Sequence, residues 1–235
     1  MTQETSTNPA EFDTYAGDYD AALNEGLSVS GEDKNYFARG RIAWLRRILD
    51  QIGERPERIM DFGCGTGSAT PFFLEWPSVR EIVGTDVSAK SLDVAIAQHA
   101  SARARFHLMN EYTSAQSIDL AFCNGVFHHI PLNERAHCVK YVYDSLRPGG
   151  LFALWENNPW NPGTRFVMSR IPFDRDAITL SVLNSRRMLR AGGFEVLRND
   201  FLFIFPRMLA WFRPLEKFVT KIPAGTQYLV LARKS

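Results

Sequence analysis

The feature that most constrains this chain is Ile59-Met60-Asp61-Phe62-Gly63-Cys64-Gly65-Thr66-Gly67, an apolar run of strand length that meets three glycines at alternate positions. Glycine reaches backbone angles closed to other residues and carries no Cβ. The run therefore predicts a sharp strand-to-helix turn whose main chain a ligand can touch. Asp86 follows about 20 residues later, at the end of the next apolar run, where a dinucleotide fold places the carboxylate that accepts ribose hydroxyls. Ser68 and Ala69 stand where a dinucleotide fingerprint would continue toward its third glycine, so the ligand need not contain a diphosphate. A glycine turn alone would only pack a helix on a strand; joined to Asp86 it points to a nucleoside.

Around this loop, strand-length apolar runs alternate with helical spacing. Strands are expected at Arg58–Phe62, Glu81–Thr85, Ala104–Leu108, Ile118–Cys123 and Gly150–Trp155, and crossover helices at Thr66–Leu74, Ser88–Ala100 and Leu132–Leu146. The last helix should stop at Arg147-Pro148-Gly149-Gly150, because proline and glycine cannot prolong it. Such alternation means a parallel sheet with helices on its faces. A helix near Leu180–Ala191, a strand from Phe194 and a final strand at Gln227–Ala232 complete the pattern. At 235 residues the chain suits one α/β domain. Within it, residues 1–10 read as a flexible tail, 11–51 as a helical N-terminal lid, and 57–235 as the core, with insertions near 156–180 and 200–224.

Composition excludes several classes. Lys and Arg number 27 against 26 Asp and Glu, a net charge of +1, so no broad field collects nucleic acid. Cys64, Cys123 and Cys138 are odd in number and lack close paired spacing, which fits neither a disulfide framework nor a zinc knuckle and suggests a reducing cytoplasm. No apolar stretch follows basic residues at the N-terminus, and the greasy Phe201–Phe212 is broken by Pro206 and Arg207, so neither a signal peptide nor a transmembrane segment is expected.

The loop resembles motif I of the class I S-adenosylmethionine-dependent methyltransferases of the small-molecule type. Gly84-Thr85-Asp86-Val87-Ser88 is similar to their ribose-binding segment. Ile118 through Asn124 is similar to their fourth strand, Leu146-Arg147-Pro148-Gly149-Gly150 to the turn before the fifth, and Gly192-Gly193-Phe194 to Val230 to the closing hairpin. The resemblance implies a three-layer Rossmann-like fold, its seven-stranded sheet mostly parallel with an antiparallel last strand. It also implies S-adenosyl-L-methionine as cofactor and S-adenosyl-L-homocysteine as product. Carried over by position, Asp61, Gly63, Cys64, Gly65 and Gly67 would line the methionyl part, Asp86 would hold the ribose and Val87 would flank the adenine. Asn110 stands where the family often has an acid for the adenine amino group, with Glu111 as the alternative and Tyr112 beside it. Asn124, Gly125 and Val126 would approach the sulfonium. Phe12, Tyr15 and Tyr19, with Asp13 and Asp18, resemble an aromatic lid, although a plain packing helix explains the same spacing.

Such a cofactor brings its own activated methyl, so the protein must mainly align a small-molecule acceptor and exclude water. Where a proton must leave, His129 is the preferred base and Glu156 a second candidate, the latter with Arg165 or Arg170 as competing partners. His128 and His129 are sequential and should point apart, so no metal site is expected. Asn158-Pro159-Trp160 superficially resembles the signature of nucleic-acid adenine methylases, but it lacks their second proline and follows the wrong strand. Phe201–Pro223 mixes aromatic residues with Arg207, Arg213, Lys217 and Lys221. It is expected either to pack inward or to rest peripherally on an anionic membrane beside a lipid-linked acceptor. A nicotinamide oxidoreductase is disfavoured by Ser68-Ala69, and a cofactor sensor of the same fold is the non-catalytic alternative. Acceptor and oligomeric state are not encoded in these motifs.

Overall fold

The computed structural model of the chain describes residues 26–171, Asp174 and residues 177–235. Helix α1 (Lys34–Gln51) precedes strand β1 (Arg58–Phe62). There follow α2 (Thr70–Leu74), β2 (Glu81–Asp86), α3 (Ala89–His99), β3 (Ala104–Leu108), β4 (Ile118–Asn124), α4 (Arg135–Ser145), β5 (Leu146–Asn157), α5 (Pro162–Met168) and α6 (Val182–Ala191). Strand β6 (Phe194–Leu202), a 3-10 segment (Arg207–Leu215), α7 (Glu216–Val219) and β7 (Gln227–Lys234) close the chain.

The strands form one sheet of seven in the order β3-β2-β1-β4-β5-β7-β6. The pairs from β3 through β5 are parallel, and β7 runs antiparallel to both β5 and β6. The expected architecture is therefore the observed one. Consecutive residues of a strand face opposite sides, so Ile59, Leu120 and Phe122 join one core with α1, α2 and α3, while Met60, Phe62 and Ala121 join another with α4 and α6. Both faces are covered, which is why the central strands read as continuous apolar runs.

Three boundaries differ from expectation for identifiable reasons. The first crossover helix is only Thr70–Leu74, because Gly65 and Gly67 take φ of +52° and +77°, which breaks helical geometry up to Gly67 and delays the helix. Strand β5 begins at Leu146, directly after α4. Ile118 faces Leu146 and Leu120 faces Leu151, so Arg147–Gly150 form a bulge within the strand, Gly149 having φ of +73°. The described part of the N-terminal segment packs into the core and also walls a cavity through Tyr36 and Arg41. Phe37, Ile42, Leu45, Ile48 and Leu49 of α1 are buried in the core, leaving α1 as a structural layer.

Buried Asp200 ties α1 to the sheet edge. It accepts from Trp44 Nε1 at 3.0 Å and Lys221 Nζ at 2.7 Å, and pairs with Arg198. Burial raises its carboxyl, but these donors outweigh burial and hold it below the usual range. Its contribution is thus present above the unfolded-state value and is lost as pH falls through the folded one. Asp200→Ala is expected to cost about 3 kcal/mol, at the low end for a broken buried pair because Lys221 and Arg198 rehydrate. Denaturant unfolding of both proteins checks this, and the gap should narrow on acidification.

Candidate active site

The carboxyl ends of β1, β4 and β5 open onto one cavity of about 420 Å³, and Asp86 at the end of β2 stands behind it, bonded to the Gly65 N–H. Its walls include Gly63, Cys64, Gly65, Asn124 and Gly125 from these strand ends, Tyr36 and Arg41 from α1, and Asn157, Asn161 and Thr164 beside α5. Both expected insertions reach it, the second through Phe203, Ile204 and Phe205. Asn161 caps α5 by accepting the Thr164 N–H at 3.0 Å, and Asn158 Nδ2 donates to Pro223 O and Gly225 O, so the insertions brace each other.

The three glycines of the loop serve three purposes. A Cβ on Gly63 would stand 2.4 Å from Val126, and one on Gly67 would stand 2.9 Å from His99 and 3.2 Å from Ala95, so these two permit close packing. A Cβ on Gly65 would meet nothing within 4 Å. The Gly65 backbone therefore borders open space, and its N–H donates to Asp86 Oδ2 at 2.8 Å. Asp86 also accepts from Ser88 N–H at 2.9 Å. The open main chain beside a carboxylate suits a ribose and a methionyl chain, so the residues present fit S-adenosylmethionine.

Asp61 lies beneath the loop and is 3% exposed. Burial, reinforced by Asp86 and opposed by Arg41, pushes its carboxyl up to about 7. Burial likewise pushes the Cys64 thiol well up, which makes it an uncharged wall.

Several expected site residues stand elsewhere. Gly67 serves helix packing, as above. Tyr112 turns away from the cavity: its ring stacks on His107 at 5.4 Å and lies within the field of Glu81 and Arg58, which begin β2 and β1. Asn110 and Glu111 are exposed in the turn after β3, whose Met109 N–H donates to Asp86 O at 2.9 Å. Val87 is half-buried beside Asp86, and Val126 packs over Gly63. Tyr19, with the rest of the aromatic lid, lies outside the described residues.

Glu156 neither faces an acceptor nor pairs with Arg165 or Arg170. It is 1% exposed, accepts the Phe127 N–H at 2.8 Å and meets His128 Nδ1 at 2.6 Å, which makes it a positioning residue. The two histidines do not point apart. Their ring centroids are 4.1 Å apart, and both Nε2 atoms approach Asp174 Oδ1, His128 at 3.4 Å and His129 at 3.2 Å. Burial alone would lower His128, but the carboxylates of Glu156 and Asp174 raise it to about 10. His129, where burial and the neighbouring His128 charge prevail, is lowered and stays neutral. Asp174 and Arg41 were missed in the sequence. Neither belongs to a local motif, and Asp174 meets His128 across 46 residues.

The segment after Phe201 packs inward only in part. Phe203 packs on Phe37 at 4.9 Å, while Met208, Trp211 and Phe218 are exposed by 84%, 74% and 74%. Among the described residues no helix is long and apolar enough to cross a membrane.

A family model described as a methyltransferase domain matches residues 60–152. A trans-aconitate 2-methyltransferase from Variovorax paradoxus is 32% identical over 74% of this chain and 74% of its own. The chain belongs to the class I S-adenosylmethionine-dependent methyltransferases. Another trans-aconitate 2-methyltransferase, from Azoarcus, is 28% identical over 60% of this chain and 56% of its own length. The chain spans about half the length of the first such relatives it matches, 56% and 53%. Among solved structures, a S-adenosylmethionine-dependent methyltransferase from Thermotoga maritima superposes with a TM-score of 0.63 at 16% identity, covering 95% of this chain and 98% of that one. A TehB-like methyltransferase from Corynebacterium glutamicum gives 0.59 at 18% identity over 97% and 100%. Both show the fold.

Two outcomes are expected. Gly65→Ala should keep the fold at a cost of about 1 kcal/mol for its left-handed angle, yet weaken S-adenosylhomocysteine binding at least tenfold by calorimetry. Gly63→Ala, which also collides with Val126, should lower the melting temperature more; unaltered ligand binding by Gly65→Ala would remove Gly65 from the site. The second concerns Asp61. Between its unfolded value of 3.8 and its folded value of about 7, the unfolded chain releases a proton that the folded chain keeps, so stability falls as pH rises through that window. Asp61→Asn should therefore gain on the native chain as pH rises, by about 4 kcal/mol at most, and the gain should level off above pH 7 in denaturant titrations.

Proposed function

We propose that this chain transfers a methyl group from S-adenosylmethionine to a small acceptor bearing a carboxylate. The observation that carries the reading is the open backbone at Gly65 beside Asp86, in one cavity with Asn124, Gly125 and His129. When bound, S-adenosylmethionine supplies an electrophilic methyl on a cationic sulfur. Asp86 would hold the ribose hydroxyls, a role that requires its oxygens to exchange the Gly65 amide for ligand or to share it. Arg41 lines the cavity and feels Asp61, so the two offer opposite charges to the zwitterionic methionyl end. Asn124 and Gly125 would line the approach to the sulfur.

The acceptor class rests on relatives named for trans-aconitate, a tricarboxylate, and on Lys34, Arg213 and His129 in the cavity wall. A carboxylate is ionised at neutral pH and needs no base. His129 would then orient the acceptor, and Glu156 would act only by holding His128. The exposed Met208, Trp211 and Phe218 favour a second reading, in which the acceptor is presented at a lipid surface.

Incubation with methyl-labelled S-adenosylmethionine and a panel of small di- and tricarboxylates, trans-aconitate included, tests the first reading. Label should pass to one of them, and Asp86→Ala should abolish S-adenosylhomocysteine binding in parallel calorimetry. Undiminished binding by Asp86→Ala would sink the ribose assignment. Label transfer only after anionic lipid vesicles are added would favour the second reading, and no transfer to any acceptor would leave a cofactor sensor.

A further inference from the structure

We propose that His128, His129 and Asp174 form a binding site for one divalent transition-metal ion of the Zn²⁺ type at the floor of the cavity. The inference goes beyond methyl transfer and does not depend on it. The three side chains offer His128 Nε2, His129 Nε2 and an Asp174 oxygen, all within 4.8 Å of one another. Two imidazoles and one carboxylate are a common donor set for Zn²⁺ sites that keep a fourth position open, and for divalent iron and its neighbours.

The distances, long for an ion pair, also suit a coordination shell. A charge-assisted imidazole–carboxylate contact closes to about 2.9 Å or less, as Glu156 and His128 do at 2.6 Å. The two Nε2 atoms stop at 3.4 and 3.2 Å from one shared oxygen of Asp174. Ligands about 2.0–2.1 Å from a tetrahedral ion stand about 3.3–3.4 Å from each other, so both separations match edges of a coordination shell.

The support behind the cluster also fits. A histidine that ligates through Nε2 commonly donates its Nδ1–H to a carboxylate, which fixes its tautomer and ring plane. Glu156 is placed for that, anchored in turn by the Phe127 N–H and 1% exposed. All three ligating residues line the cavity, so the remaining coordination position faces the same space as Gly63 and Gly65. It would take water or an oxygen of an anionic acceptor.

Titrating the full-length, untagged, cofactor-free protein with Co²⁺ tests the site by visible absorption. One equivalent should give the intense d–d bands of four- or five-coordinate cobalt, and Zn²⁺ should bleach them. His129→Ala and Asp174→Ala should each weaken binding at least tenfold, while His137→Ala on the exposed face of α4 should change nothing. Glu156→Gln should weaken it about 10–100-fold while keeping the stoichiometry. Should that variant fail to fold by circular dichroism, the partly exposed His129 carries the test. A spectrum that remains that of aqueous cobalt overturns the proposal, as do His129→Ala and Asp174→Ala proteins that bind like the native chain. Calorimetry with S-adenosylhomocysteine is read separately, so failure here leaves the cofactor assignment standing.

Discussion

The hydrogen bonds that sew the glycine loop to the end of β2 are what the rest of the site depends on. Gly63 and Cys64 N–H both donate to Thr85 O, at 2.8 and 3.1 Å, and Gly65 N–H reaches Asp86 Oδ2 at 2.8 Å. These contacts are possible because β1 and β2 are parallel neighbours in register, Phe62 opposite Thr85. The left-handed angles of Gly63 and Gly65 then turn the chain across the strand ends and leave an open face. Chain order reverses across the sheet between β1 and β4, where the crossovers leave toward opposite faces, and the crevice outside that point is the cavity.

Charge follows the same geometry. The layers on either side of the sheet are hydrocarbon, whereas Asp61, Asp86, Glu156 and Asp174 are all buried at its carboxyl edge. Buried acids are costly unless compensated. Here the compensation is specific: backbone amides for Asp86, the nearby Arg41 charge for Asp61, and the His128 ring between Glu156 and Asp174. This edge forgoes stability that apolar packing would have supplied, as expected of a place where ligands bind.

What could be read in the chain was local. Strand β1 runs from Arg58 to Phe62 and is buried from Ile59 onward, whereas the edge strand β3, Ala104 to Leu108, shows itself by alternation, with Ala104 and Phe106 buried and Arg105 exposed. Helix α2 was overestimated at its start, because the left-handed angles of Gly65 and Gly67 delay the helix to Thr70. Tyr112 sits beside Asn110 and Glu111 in sequence, yet its ring stacks on His107 while Tyr141 Oη donates to its carbonyl at 3.1 Å. Glu156 lies next to the last residue of β5, near where a catalytic acid would stand, but residues alternate across a strand, and its own direction is toward Phe127 and His128.

By itself the sequence determined the alternating layout, the glycine loop followed by Asp86, and hence the methyltransferase family, since each depends on residues within one turn or at one motif spacing. Only the tertiary structure decided that α1 belongs to the core, that both insertions wall one cavity, and that His128 and His129 converge on Asp174. Those outcomes depend on side chains far apart in the chain, such as His128 and Asp174, meeting once the sheet has closed. No local pattern can record such a meeting, because it is set by the packing of whole elements.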